Sequence, residues 1–169
     1  MIQVYTGDGK GKTTAALGQA LRSLGHGMRV FMVQFMKGRT YGELIACRDN
    51  LPGMEILMSG RDCFVKKGAP EEVDLRMARE GWEAAKRAIA GGQYQMVILD
   101  EINVALDYGL LPTDEVLDFL RGHREGPEII CTGRYAPREL LELADLVSEV
   151  REVKHPYQQG APMRRGIEY

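Results

Sequence analysis

The chain has 169 residues, 44% of them hydrophobic, and a formal net charge of −2 from 22 basic and 24 acidic side chains. Length and apolar content suit one globular domain, expected to span residues 1–169, and the near-neutral balance argues against a nucleic-acid partner held by bulk charge. Three cysteines without a C-x-x-C pair suggest neither a disulfide framework nor a zinc site. No apolar run approaches the roughly 20 residues of a membrane span, and the start shows no signal-peptide pattern, so the expected location is cytoplasmic.

In chain order, Ile2 to Thr6 reads as a short β-branched and aromatic strand. Thr13 to Leu24 follows as a helix with Ala16, Leu17, Ala20, Leu21 and Leu24 along one face. Met28 to Phe35 reads as a buried strand and Met54 to Met58 as a third. Glu71 to Ala90 predicts a long amphipathic helix, with Leu75, Ala78, Trp82, Ala85 and Ile89 on its apolar stripe and Gly91-Gly92 as its stop. Trp82 is therefore expected in the core. Met96 to Leu99 is an apolar strand running into Asp100-Glu101. Pro112-Thr113 opens another helix, with Thr113 as its expected N-cap. Glu128 to Thr132 reads as a strand, Pro137 to Leu143 as a helix, and Leu146 to Val153 alternates as an exposed edge strand should. Lys37 to Asn50 and Ser59 to Pro70 lack periodicity; both follow strand ends, where ligands bind in open α/β sheets. The polar tail from Lys154 to Tyr169 is expected either to cover that edge or to fray.

The stretch between the first strand and the first helix carries the clearest chemistry. Gly7, Gly9 and Gly11 let the backbone of Thr6-Gly-Asp-Gly-Lys-Gly-Lys-Thr-Thr14 curl so that its N–H groups form an anion nest. The helix N-terminus adds donors and a positive dipole end beneath it. Gly7, Asp8, Gly9, Lys10, Gly11, Lys12, Thr13 and Thr14 are thus the expected phosphate ligands. Lys12 can reach the outer phosphates, and the Thr13 hydroxyl is placed to hold a magnesium ion. Thr6 stands where the usual G-x-x-x-x-G-K-[ST] pattern has its first glycine, so this is a variant loop. Asp100 or Glu101, at a strand end, is the carboxylate expected at the metal. The expected class is α/β: a single P-loop NTPase-like (RecA-like) domain with a mostly parallel sheet flanked by helices.

Other polar residues divide less cleanly. Arg134, in Thr132-Gly133-Arg134 after a strand, is placed to clamp a phosphate or to pair with Glu139 or Glu142. Arg22 leans toward a nucleotide or makes a helix-surface pair. Gln34 and Lys37 close the second strand and are edge candidates. His155, before Pro156, reads as structural.

Seven ordered motifs run together here. They are Thr6 to Thr14, Gly25-His26-Gly27, Val33-Gln34-Phe35-Met36-Lys37-Gly38, Leu99-Asp100-Glu101-Ile102-Asn103, Thr132-Gly133-Arg134, Glu142 to Glu149 and Val153-Lys154-His155-Pro156. As a set they resemble the ATP:corrinoid adenosyltransferases, the phosphate-loop class of cob(I)alamin adenosyltransferases. The resemblance implies transfer of the 5′-deoxyadenosyl group of ATP to the Co(I) of a reduced corrinoid such as cobalamin or cobyrinic acid a,c-diamide, with triphosphate leaving. It implies Thr13 and Glu101 as magnesium ligands, Lys12 and Arg134 as the catalytic cations, and Arg22 on a family arginine position. It also implies a homodimer and admits a flavoprotein as electron donor. Relatives place aromatic residues, typically in Gly-Phe-Thr-Trp, in the loop after the third strand. Here that loop reads Gly60-Arg61-Asp62-Cys63-Phe64-Val65-Lys66-Lys67, leaving Phe64 as its one aromatic corrinoid candidate. The competing readings are a small phosphate-loop kinase or ATPase, which would release ADP, and a nucleotide sensor without turnover.

Overall fold

The computed structural model describes residues 1–63, 65–160 and 162–168. Six strands form one sheet: β1 (Ile2–Thr6), β2 (Val30–Phe35), β3 (Met54–Ser59), β4 (Met96–Asp100), β5 (Glu128–Thr132) and β6 (Leu146–Glu149). Their order is β3-β2-β4-β5-β1-β6, and every pairing is parallel. All six carboxyl ends therefore lie on one edge.

Helices α1 (Lys12–Leu24) and α2 (Gly42–Asn50) cover one face of the sheet, and α3 (Glu72–Ala90), α4 (Ile102–Asp107), α5 (Thr113–Gly122) and α6 (Arg138–Leu143) the other. Alternation along the strands sorts the core. Val30, Met32, Met96, Ile98 and Ile130 pack with Ala16 and Ala20 of α1, whereas Val33, Phe35, Val97, Leu99 and Ile129 pack with α3 to α5. Since β2, β4 and β5 are covered on both faces, they read as continuous apolar runs.

The expected elements form close to their expected bounds, with informative exceptions. β6 stops at Glu149, and all four of its residues are exposed at the sheet edge. Leu21 and Leu75 lie on predicted apolar stripes but are 59% and 39% exposed, because those stripes are wider than the sheet surface they meet. Pro112, not Thr113, occupies the N-cap of α5, and the cap makes no side-chain hydrogen bond. Helices α2 and α4 had no sequence signal of their own: α2 buries only Cys47, and α4 is six residues long. No helix among the described residues is long and apolar enough to cross a membrane.

Trp82 is fully buried, packs edge-on against Phe119 with ring centroids 5.4 Å apart, and donates its Nε1–H to Glu115 Oε1 at 3.1 Å. Trp82→Ala should therefore cost about 3–5 kcal/mol of unfolding free energy. Urea denaturation followed by far-UV circular dichroism checks this, since the only tryptophan is the one removed.

Candidate active site

A cleft of about 690 Å³ opens along the carboxyl edge, walled by the phosphate loop, the segments after β2, β4 and β5, and the C-terminal tail. Backbone strain is concentrated there. Among the described residues, Met36, Glu101 and Tyr135 are the non-glycine residues with positive φ, at 59°, 60° and 59°, and all three line the cleft. A left-handed conformation costs a residue with a Cβ roughly 1–2 kcal/mol, so packing on every side must hold these turns in place.

Asp100 anchors the edge. Its carboxylate is fully buried and accepts four hydrogen bonds, two on each oxygen. Thr13 and Thr132 hydroxyls donate to Oδ1 at 2.8 and 2.7 Å; Gln34 Nε2 and Lys37 Nζ donate to Oδ2 at 3.3 and 2.7 Å. Thr132 also accepts the Glu101 N–H at 3.1 Å, fixing the strained turn. Burial, the largest single influence, lowers the Lys37 ammonium, but the charge and hydrogen bond of Asp100, joined by the charges of Glu101 and Glu43, together raise its pKa.

Glu101 is the opposite case. Its carboxylate faces the cleft and has no hydrogen bond or ion pair among the described residues. Burial, then the neighbouring Asp100 charge, pushes its pKa up against the pull of Lys37, Lys12 and Arg134. A desolvated, unpaired carboxylate beside a hydroxyl whose proton is already given to Asp100 suits a hard cation. Among the described residues no cluster of three or more His, Cys, Asp or Glu side chains could hold a metal alone. Magnesium does not require one, as it binds through one or two protein oxygens with substrate phosphates and water.

The phosphate loop packs tightly on the chain after β6. The Gly9 N–H donates to the Val150 carbonyl at 2.7 Å. A Cβ on Gly7 would lie 2.5 Å from that same oxygen, and one on Gly9 would lie 2.7 Å from the Arg151 carbonyl. That close approach explains why glycine sits at positions 7 and 9. Lys12 folds back on the loop, its Nζ donating to the Gly7 and Gly9 carbonyls at 2.6 and 2.7 Å, and burial lowers its pKa. Arg134 reaches across to Asp8 at 4.0 Å.

Most of the expected site residues converge here: Asp8 to Thr14, Lys37, Glu101 and Arg134 all line the cleft. Gln34 lies beneath it, fully buried, bridging Asp100 and Glu43 through Nε2 while its Oε1 has no partner. Lys10 turns to the tail, donating to the Ile167 carbonyl at 2.9 Å and pairing with Glu168 at 3.0 Å. Arg22 does not reach the cleft. It is exposed in the last turn of α1, ten residues and so about 15 Å along the helix from Lys12, and among the described residues its one hydrogen bond is to Gln19, at 3.5 Å. Phe64 lies outside the described residues. His155 lines the cleft but caps a short 3₁₀ helix (Pro156–Gln159), accepting the Tyr157 N–H at 3.1 Å.

The sequence reading missed Thr132, Glu43, Tyr108 and Tyr135; of the two expectations for the tail, the covering one holds at Gly166 to Glu168, which line the cleft. Thr132 and Tyr135 bracket Gly133-Arg134 at a strand end, which was the available signal.

The family model for ATP:corrinoid adenosyltransferase BtuR/CobO/CobP matches residues 1–169. The chain belongs to that family. A corrinoid adenosyltransferase of Escherichia coli strain K12 is 41% identical over 170 residues, covering all of this chain and 85% of the relative. Corrinoid adenosyltransferase CobA of Salmonella typhimurium is 38% identical, again over all of this chain and 85% of the relative. The crystal structure of the RadB recombinase superposes with a TM-score of 0.56 at 15% identity, covering 92% of this chain and 76% of that one, which shows the shared fold. In this adenosyltransferase-family cleft, the strand-end motifs form one continuous wall.

The raised Glu101 pKa has a measurable consequence in the ligand-free protein. Where both states are protonated there is no penalty; as pH rises from the ordinary value of 4.5 through the raised folded one, stability is lost. Glu101→Gln escapes that loss. In chelator-containing buffer, its melting temperature should match the parent's near pH ~4 and exceed it near pH ~7.5.

Proposed function

We propose that this chain transfers the 5′-deoxyadenosyl group of ATP to the Co(I) of a reduced corrinoid. The observation that carries the reading is the polarity of the cleft. Its lining combines Lys12, Lys10, Arg134 and the N-terminus of α1 with the apolar and aromatic side chains of Met36, Val65, Val104, Tyr108 and Tyr135. A polyanion suits the first set and a large apolar macrocycle the second, so the cleft can take both partners with C5′ of the ribose between them.

The electrons balance without a protein nucleophile. The Co(I) electron pair forms the Co–C bond to C5′, cobalt becoming formally Co(III), while the C5′–O bond breaks and its pair leaves on triphosphate. The chain's own residues position the partners and stabilise the departing oxygen. Lys12 exchanges the Gly7 and Gly9 carbonyls for phosphate oxygens, and Arg134 closes over the same group from β5. Thr13 and Glu101 would hold Mg2+, which would neutralise charge on the triphosphate.

The finer reading is an alkyl-group transferase acting on cobalamin or cobyrinic acid a,c-diamide. It is a cytoplasmic homodimer with a flavoprotein as electron donor. Every strand ends on one edge and β6 is exposed along its length, which leaves an edge for a second copy.

Anaerobic single turnover with ATP, magnesium and chemically reduced cobalamin should give a light-sensitive Co–C product and stoichiometric triphosphate by ion chromatography. Stoichiometric ADP would instead make the chain a kinase or ATPase. Lys12→Ala should lower turnover by roughly 10²–10³-fold, the usual effect of losing one donor at a developing negative charge.

A further inference from the structure

Three segments bring aromatic and apolar side chains to the cleft wall, and one side chain ties them together. Lys67 Nζ lies 5.9 Å from the Tyr108 ring centroid and 5.6 Å from that of Tyr135, and it donates to Asp107 Oδ2 at 2.6 Å. Lys67 ends the loop after β3, Asp107 and Tyr108 end α4, and Tyr135 follows β5. At its other end, the β3 loop is fastened by Arg61, whose guanidinium donates to both Asp74 carboxylate oxygens at 2.7 and 2.8 Å and to Glu71 at 3.1 Å. Cys63 and Val65, between these two anchors, line the cleft. The loop is a platform held at both ends.

Tyr135 is the anomaly in this wall. Its φ is +59°, a region bulky side chains avoid, yet the residue is 54% exposed and lines the cleft rather than lying buried in the core. Core packing therefore does not account for the strained turn. What the turn achieves is to hold an aromatic face toward the cavity, beside Tyr108 and against a cation that restricts both rings. A purine is small enough to be enclosed. A wall built from three separate segments and left half open suits a macrocycle that extends beyond the cleft.

We propose that Tyr135 is a contact residue for the face of the corrinoid, and that Lys67 is a positioning residue that sets the Tyr135 and Tyr108 rings and the β3 loop around it. This rests on the adenosyl-transfer reading. It gives this chain an aromatic corrinoid contact from the segment after β5, independent of the aromatic content of the β3 loop.

The test separates the two substrates. Initial rates are measured anaerobically with reduced cobalamin and ATP varied in turn. Tyr135→Ala and Tyr135→Gly should each raise the corrinoid KM by roughly 3- to 10-fold, the scale of a lost aromatic contact, and leave the ATP KM unchanged. Tyr135→Gly also relieves the positive φ, so it should melt no lower than the parent, which separates contact from misfolding. Tyr135→Phe should keep the parent's values. Lys67→Met should raise the corrinoid KM alone, and Lys67→Arg should restore it. A rise in the ATP KM with the corrinoid KM unchanged would make Tyr135 a base platform and overturn the proposal. Parent values for both substrates in the Ala and Gly variants would overturn it as well. If the parent protein yields no alkylcobalt product, the adenosyl-transfer reading falls first, before any variant is compared.

Discussion

The Asp100 carboxylate is the point on which the site depends. It is a buried charge, and such a charge is tolerated only when paired and hydrogen-bonded. Here each oxygen takes two donors, from β2, β5, the turn after β2 and the first turn of α1. Strand order sets up the geometry. β5 lies between β4 and β1, so Asp100 and the phosphate loop start two strand spacings, about 10 Å, apart. Thr132 fills that gap from the middle strand, and Thr13 reaches back from α1 to the same oxygen. Removing any one donor would leave a buried charge underpaired, which is why these distant residues act as a unit.

That saturation divides the labour between adjacent acids. Asp100 has used its lone pairs on the protein, orienting the Thr13 hydroxyl and holding Lys37 at the rim. Glu101, itself in a left-handed conformation and lining the cleft, keeps both oxygens unpaired among the described residues in a desolvated setting. The other two strained turns belong to the same arrangement: Met36 carries the chain from β2 to Lys37, and Tyr135 brings an aromatic side chain to the cleft wall. Strain, unpaired charge and exposed aromatic surface thus collect on one edge, while the sheet and α3 supply the stability to hold them.

Much of the fold could be read from the sequence. β1 and β5 have the expected bounds because continuous apolar runs flanked by turn residues leave few alternatives, and α3 declares itself through the Ala78-Trp82-Ala85-Ile89 stripe. Helices α2 and α4 were not legible: one buries a single cysteine, and the other is barely more than a turn, so neither carries a periodic pattern. The phosphate loop and the Asp100-Glu101 pair were legible because local spacing alone defines them. Which acid is saturated was not, since that depends on Thr132, Gln34 and Lys37 arriving from three places. Lys10 with Glu168 is the extreme case, a contact between the two ends of the chain in which Arg164, the main cause, holds the Glu168 carboxyl down to about 2. Arg22 shows the reverse: ten residues of helix separate it from Lys12 and carry it away from the cleft.

The division between Asp100 and Glu101 is tested most directly by metal titration. Mn2+ is added to the protein with a non-hydrolysable ATP analogue, and bound metal is followed by paramagnetic resonance in the parent, Glu101→Gln and Asp100→Asn. The expected result is that Glu101→Gln loses metal affinity while keeping its fold, and that Asp100→Asn loses thermal stability as its donors go unpaired. Parent-like metal affinity in Glu101→Gln, with selective loss of metal in a stably folded Asp100→Asn, would contradict the account.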